Sequence, residues 1–221
     1  MSQIEVNRRL LSENDQAAAF LREKFSREGT LVVNLISSPG SGKTTLLEAT
    51  VAAMSRSYQL AAIEGDIATE RDADRLRRHG IPARQIITGG ACHLDARLVR
   101  NELEKGGLDG AGILFIENVG NLVCPTSYDL GEDFKVVLLS VAEGDDKPFK
   151  YPGIFARAAV TIITKIDLLP HVDFDVEAVR AQVQTLSPDA RFFLTSARTG
   201  EGVDQWCRLL AQKLEEKRRH V

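Results

Sequence analysis

The sequence predicts an α/β fold: a doubly wound, mostly parallel sheet of seven strands. Three observations carry this expectation. Strand-like and helix-like segments alternate along nearly the whole chain, which calls for parallel pairing through βαβ crossovers. The apolar segment Leu31–Ile36 runs into a Gly/Ser/Pro turn and leaves it as the helical segment Lys43-Thr-Thr-Leu-Leu47, a strand–loop–helix unit. The chain has 221 residues, 43% hydrophobic and 27% charged, enough for one domain with a sizeable core.

The elements follow in order. Residues 4–26 set Ile4, Val6, Leu10, Leu11, Ala17, Ala18, Phe20, Leu21 and Phe25 among charges. This is the pattern of an amphipathic helix, with a break suggested near Ser12-Glu13-Asn14. Residues 1–28 are thus expected to form a helix packed on the flank of a domain covering 29–221. Strands are expected at Leu31–Ile36, at Leu60–Ile63 (leading into Glu64-Gly-Asp66), at Gln85–Thr88, Gly112–Ile116, Lys135–Val141, Val160–Thr164 and Arg191–Leu194. Helices are expected at Lys43–Met54, at Ala68–His79 (stopped by Gly80 and Pro82), at Cys92–Lys105 (closed by Gly106-Gly107), and at Val176–Leu186 and Val203–Arg218.

Composition narrows the function. Lys and Arg number 28 against 31 Asp and Glu, a net charge of −3, which argues against nucleic acid or an anionic membrane as partner. No apolar run approaches the roughly 18 residues of a membrane span, and no signal-peptide pattern opens the chain, so a cytoplasmic protein is expected. Three scattered cysteines, Cys92, Cys124 and Cys207, do not make a disulfide framework; each is either a small buried hydrophobe or a metal ligand.

Ligands of doubly wound sheets bind beyond the carboxyl ends of the strands, so the residues just after each strand matter most. After the first strand, Ser37 through Thr45 reads as a phosphate-binding loop, with Ser37 where the usual pattern has its first glycine. Pro39, Gly40, Ser41 and Gly42 would wrap backbone N–H groups around phosphate. Lys43 would reach the β- and γ-phosphates, Thr44 would ligate Mg²⁺, and Thr45 continues the helix whose positive end faces the same anion. Asp66 and Glu117, after two further strands, are the candidate carboxylates for Mg²⁺, and Asp66 also for positioning water. Gly120 stands where a γ-phosphate-sensing turn needs a backbone N–H.

After the strand Val160–Thr164 come Lys165 and Asp167, and after the last strand Ser196 and Ala197. Thr-Lys-Ile-Asp and Thr-Ser-Ala resemble the guanine-reading motifs of GTPases, with Thr164 in place of the usual Asn. The resemblance implies that Asp167 accepts from guanine N1–H and the exocyclic amine, that the Lys165 stem covers the base, and that a backbone N–H near Ala197 donates to O6. The brace normally made by the Asn side-chain amide is expected to be missing.

Cys92 and His93 are adjacent and follow two glycines, and Cys124 lies seven residues after Glu117. Thiolate and imidazole suit Zn²⁺ or Ni²⁺ alike; adjacent ligands can chelate one metal or point at two. Glu143-Gly-Asp-Asp-Lys147 and Lys150 form a further charged loop. The segments Gly89–Asp95, Glu117–Pro125 and Ser140–Pro152, together with the P-loop, resemble the HypB family of nickel-insertion GTPases in hydrogenase maturation, relatives of UreG, over almost the whole chain. The resemblance implies a SIMIBI-type P-loop GTPase using GTP/GDP and Mg²⁺. It further implies a GTP-promoted homodimer with Ni²⁺ or Zn²⁺ on Cys92, His93 and Cys124 at the interface, and Lys150, or else Lys147, reaching the facing subunit's nucleotide. A HypA-like metallochaperone and the hydrogenase large subunit are the implied partners. The rivals are a urease-type nickel-insertion GTPase, expected to carry Cys-Pro-His where this chain has Cys124-Pro-Thr126; a P-loop small-molecule kinase; and a constitutive metal-storage dimer.

Overall fold

In the computed structural model the described backbone runs from residue 3 to residue 219, and the described side chains begin at residue 11. Seven strands, β1 (Leu31–Ser37), β2 (Leu60–Asp66), β3 (Ala83–Ile87), β4 (Ile113–Glu117), β5 (Phe134–Ser140), β6 (Val160–Thr164) and β7 (Arg191–Leu194), form one sheet in the order β3-β2-β4-β1-β5-β6-β7. Every pairing is parallel. β1 is central and buried along its whole length, as a parallel strand covered on both faces must be. All the strands therefore end at one edge, where β1 opens into the phosphate-binding loop and where Glu64 and Glu117 sit opposite each other in the β2–β4 register.

The side chains of β1 alternate between two cores. Leu31, Val33 and Leu35 face α2 (Lys43–Met54), α3 (Arg71–Arg78) and α8 (Val203–Arg218), with Trp206 at the centre. The Trp206 indole N–H donates to the Thr50 hydroxyl at 3.1 Å, joining α8 to α2. Val32 faces α1 (Gln3–Glu28) and α4 (Ala96–Glu104), through Ala18, Leu21, Phe25 and Val99. Beside them α6 (Pro152–Arg157) and α7 (Val176–Leu186) cover β5 and β6.

Several expected boundaries move, for local reasons. α1 is continuous through Ser12-Glu13-Asn14. Asn14 is buried and spends its amide away from its own helix, accepting from Ala96 N at 2.8 Å and donating to the Asp129 carbonyl at 2.9 Å. Phe20, expected on the buried face, is exposed with the Arg100 guanidinium over its ring. Ile4, Val6 and Leu10 lie outside the described side chains. α3 begins at Arg71, not Ala68, because Asp66 Oδ1 accepts from Ala68 N and Thr69 N, both at 2.8 Å, and holds a turn there. α4 begins at Ala96, not Cys92: Asp95 caps it through Leu98 N at 2.8 Å, which leaves Cys92 and His93 on a loop. The charged loop after β5 contains α5 (Lys147–Lys150) and then α6, each with proline in its first turn.

Gly202, at φ +73°, caps α8 against the end of β7; a Cβ there would lie 1.9 Å from the Leu194 carbonyl oxygen. Gly202→Ala should cost about 3 kcal/mol or more of folding free energy, measured by urea unfolding, and disturb the Ser196–Ala197 turn that follows β7.

Candidate functional site

The phosphate-binding loop closes over a cavity of about 450 Å³ lined by Pro39, Gly40, Gly42, Lys43, Thr44, Thr45, Gly65, Asp66, Glu117 and Gly120, among others. Gly40 and Gly42 have φ of +78° and +92°, a left-handed backbone open to glycine at little cost. Lys43 is buried; its ammonium donates to the Ser37 hydroxyl at 3.0 Å and lies 3.8 Å from Glu117. Ser37, the departure from the usual pattern, thus holds the lysine that the phosphates need. Ser41 does not line the cavity. It is buried, with its hydroxyl 2.6 Å from the Glu143 carboxylate, tying the loop to the segment that leads into α5.

A second cavity of about 300 Å³ is lined by Thr164, Lys165, Asp167, Leu168, Ala197 and Arg198, and shares Gly42, Thr45 and Lys165 with the first. Together they make a slot of the size small ligands occupy. Lys165 adopts φ +59° and its ammonium donates to the Gly40 carbonyl at 2.7 Å, laying its stem along the slot. Ser196 is buried behind the slot and donates to Asp167 at 2.6 Å. That bond, with a smaller contribution from Arg198, holds the Asp167 carboxyl below its ordinary pKa. The expected loss of a brace at Thr164 does not occur: its hydroxyl donates to the Ser41 carbonyl at 2.6 Å and fastens the loop after β6 to the phosphate loop.

Glu64 and Glu117 are both buried, and no donor outside the pair reaches Glu64 Oε1 or Glu117 Oε2. Glu117 Oε1 accepts from the Thr44 hydroxyl at 3.0 Å. Burial, and then the charge of its neighbour, push the Glu64 pKa well above the usual carboxylate range; burial also raises Glu117, against the pull of Lys43. An orphaned carboxylate oxygen beside a threonine hydroxyl under a phosphate loop fits the hard oxygen-donor set of Mg²⁺. Asp66 lines the same cavity with one oxygen committed to its turn. Sequence reading passed over Glu64; the available signal was a carboxylate ending an otherwise apolar strand. Asp72, which on its charged helix reads as a solvated residue, also lines the cavity, as does Arg75, which reaches the Thr45 hydroxyl at 3.2 Å.

Cys92, His93 and Cys124 converge, with ligand atoms all within 4.8 Å of one another. The Cys92 and Cys124 sulfurs are 2.6 Å apart, and Cys92 Sγ is 3.7 Å from His93 Nδ1. Cys124 opens a 3₁₀ turn, Cys124–Ser127, whose approach is folded by Asn121 accepting from Val123 N and Cys124 N. The His93 ring packs on Tyr128 with centroids 3.9 Å apart. The hydrogen bond with Cys92, then burial, raises the Cys124 thiol, while burial lowers His93 and so favours neutral imidazole. One soft-donor group within a single chain therefore fits one Ni²⁺ or Zn²⁺, with a fourth position open. Cys207 takes no part: it is half-buried against the core and burial pushes its thiol up to about 11. Lys150 lines neither cavity; it is exposed and ion-paired with Asp146.

The sequence matches the family described as CobW/HypB/UreG, nucleotide-binding domain, over residues 31–194. It is 52% identical over 204 residues to the hydrogenase maturation factor HypB of Azotobacter chroococcum mcd 1, covering 92% of this chain and 67% of that one. It is 44% identical to the hydrogenase/urease maturation factor HypB of Helicobacter pylori strain J99, covering 96% of this chain and 89% of that one. A crystal structure of HypB from Helicobacter pylori in complex with nickel superposes with a TM-score of 0.87 at 44% identity, covering 92% of this chain and 96% of that one.

Raised carboxyl pKa values stabilise the folded state below the unfolded value near 4.5, and that contribution is lost as pH climbs toward the folded value. Glu64→Gln should therefore raise the melting temperature of the nucleotide-free protein at pH 7–8 while changing it little at pH 4, as read by thermal unfolding across that range.

Proposed function

The chain belongs to the CobW/HypB/UreG family, in its HypB branch of hydrogenase maturation factors, and on that premise we propose that it is a GTP-hydrolysing nickel metallochaperone. The observation that carries the proposal is the joint presence, at one edge of the sheet, of a phosphate loop with a base slot and of a Cys/His cluster. A small-molecule kinase has no use for Asp167 and Ala197 in the slot, and a constitutive metal store has no use for Lys43 held over Glu117.

Guanine is selected by the ionised Asp167, which accepts two donors that adenine does not present together, while Ser196 orients it from behind. Lys43 exchanges its Ser37 partner for the β- and γ-phosphate oxygens. Thr44 and Glu117, with Asp66 across the cavity, hold Mg²⁺, which when bound neutralises the charge that develops on the phosphates. Water attacks the γ-phosphate, with Asp66 orienting it. No side chain of this set is a strong general base, so turnover is slow and suits a switch.

Cys92, His93 and Cys124 hold Ni²⁺, or Zn²⁺ in its place, and a second copy of the chain completes the coordination in a GTP-dependent homodimer. Exposed apolar side chains support this: Ile67 and Ile87 at strand ends, Val123 beside Cys124, and Phe149 beside Lys150. Lys150, or else Lys147, reaches the partner's nucleotide. Among the described residues no helix is long and apolar enough to cross a membrane, and we place the protein's work in the cytoplasm. Nickel passes between a HypA-like metallochaperone and the hydrogenase large subunit; delivery to urease is the alternative recipient.

Lys43→Ala should cut phosphate release from GTP by about 100-fold or more, with no comparable release from ATP by the wild type. Absence of GTP hydrolysis in the wild type would overturn the reading. In parallel, Cys92→Ala should abolish stoichiometric nickel in metal analysis, with GDP and with a GTP analogue.

A further inference from the structure

We propose that the buried side-chain amide of Asn118 is the positioning group through which the state of the nucleotide reaches the Cys92–His93 loop. The proposal rests on the reading of the two sites given above and adds the path between them.

The path begins at Glu117, which accepts from the Thr44 hydroxyl at 3.0 Å and lies 3.8 Å from the Lys43 ammonium. Both contacts must be redistributed when a γ-phosphate and its cation arrive, since they occupy the groups that bind them. Asn118 is the next residue and is 1% exposed. Its backbone N–H donates to the Leu35 carbonyl at 2.9 Å, holding it to β1. Asn118 Oδ1 accepts from Leu94 N at 3.0 Å and from Val119 N at 3.0 Å, and Asn118 Nδ2 donates to Asn34 Oδ1 at 3.4 Å. Leu94 directly follows His93, so one carbonyl oxygen fixes both the first residues of the phosphate-sensing turn and the backbone that carries the imidazole.

The Leu94 side chain supplies a second contact with the same cavity. It is fully buried and fills the space beside Gly65, where a Cβ would come within 2.8 Å of Leu94 Cδ1 and Cγ. Gly65 stands between Glu64 and Asp66 and lines the phosphate cavity. The residue after His93 is therefore gripped by both segments that supply the candidate Mg²⁺ ligands. This route does not pass through Cys124, which follows Glu117 along the chain; with it, a displacement of Glu117–Gly120 moves Cys124 by covalent continuity and Cys92 and His93 through the amide. All three metal ligands then respond to one event.

The fold also contains a control. Asn14, on α1, makes the same kind of bond just beyond that loop, accepting from Ala96 N at the start of α4 at 2.8 Å, but its other hydrogen bond goes to the Asp129 carbonyl. If the loop merely needs a buried amide to hold its shape, Asn14 and Asn118 are equivalent. If Asn118 transmits, only its loss uncouples the sites.

The test is the ratio of nickel dissociation constants measured with GDP and with a non-hydrolysable GTP analogue, by titrating Ni²⁺ and following the thiolate-to-nickel absorption. The wild type should show a ratio of about fivefold or more, and Asn118→Ala should bring it within about twofold of unity while still binding both ligands. Asn14→Ala should keep the wild-type ratio. By reciprocity, nickel should also lose its effect on the affinity of Asn118→Ala for the GTP analogue. Asn118→Ala with the wild-type ratio, or Asn14→Ala with an equal collapse, would overturn the proposal. Should Asn118→Ala fail to fold by circular dichroism, Gly65→Ala, which pushes Leu94 away, must lower the ratio, and an unchanged ratio there would overturn it as well. A wild-type ratio of one would instead defeat the underlying reading of a nucleotide-controlled metal site, and that outcome is seen before any variant is made.

Discussion

Two carboxyl groups facing each other in a parallel register are the constraint on which the site depends. Glu64 and Glu117 are paired across β2 and β4, buried, and each keeps one oxygen that no donor outside the pair reaches. Two buried carboxyl groups that face each other disfavour double ionisation unless a cation lies between them. Burial pushes both carboxyls above their usual range, and the Lys43 ammonium and the Thr44 hydroxyl turn onto Glu117. Those are the two groups that a P-loop offers to phosphate and metal. Phosphate and metal binding must therefore break these contacts, the condition for a site whose geometry changes on binding.

The sheet can carry such a site because its seven parallel strands end together and because the loops beyond them are tied to one another. Ser41 reaches Glu143, Thr164 reaches Ser41, and Lys165 reaches Gly40. Three loops after β1, β5 and β6 therefore form one bonded rim around the nucleotide slot. Thr164 shows how a departure from a motif is absorbed. A hydroxyl is shorter than the amide it replaces, yet it reaches the Ser41 carbonyl because the two loops approach closely. Ser37 is a similar case, since the added hydroxyl gives Lys43 a partner in place of a phosphate.

Much of this was legible in the sequence. Alternating patterns gave all seven strands, and the P-loop, Lys165-Ile-Asp167 and Ser196-Ala197 marked residues that do gather around one slot, except that Ser41 and Ser196 brace it from behind. Cys92, His93 and Cys124 do meet, although 32 residues separate the two cysteines. What was not legible depends on contacts between segments. Helix starts at Arg71 and Ala96 were missed because Asp66 and Asp95 cap nearby N–H groups instead of continuing an apolar period. Glu64 was passed over because both faces of β2 are covered, so alternation gave no sign that a charged residue at its end was buried. Asn14 and Asn118 look like unremarkable polar residues until their amides are seen to meet the backbone of α4 and the loop before it.

The Cys/His cluster obeys the same logic as the carboxyl pair. Two sulfurs 2.6 Å apart disfavour a second thiolate, and the Cys124 thiol is raised accordingly; a soft dication would reverse that preference by taking both as thiolates. Each site therefore gathers like groups that become compatible only around a cation, hard oxygens in one and soft sulfurs in the other. The carboxyls sit at the ends of β2 and β4 and the sulfurs on loops beyond the sheet, and packed cores are bistable, not continuously deformable. What can change is which donors the loop residues hold. Asn118 stands at the junction, its backbone and amide nitrogen bonded to β1 and its amide oxygen to the Cys92–His93 loop, so the proposed rearrangement at the phosphate end has a bonded route to the Cys/His cluster.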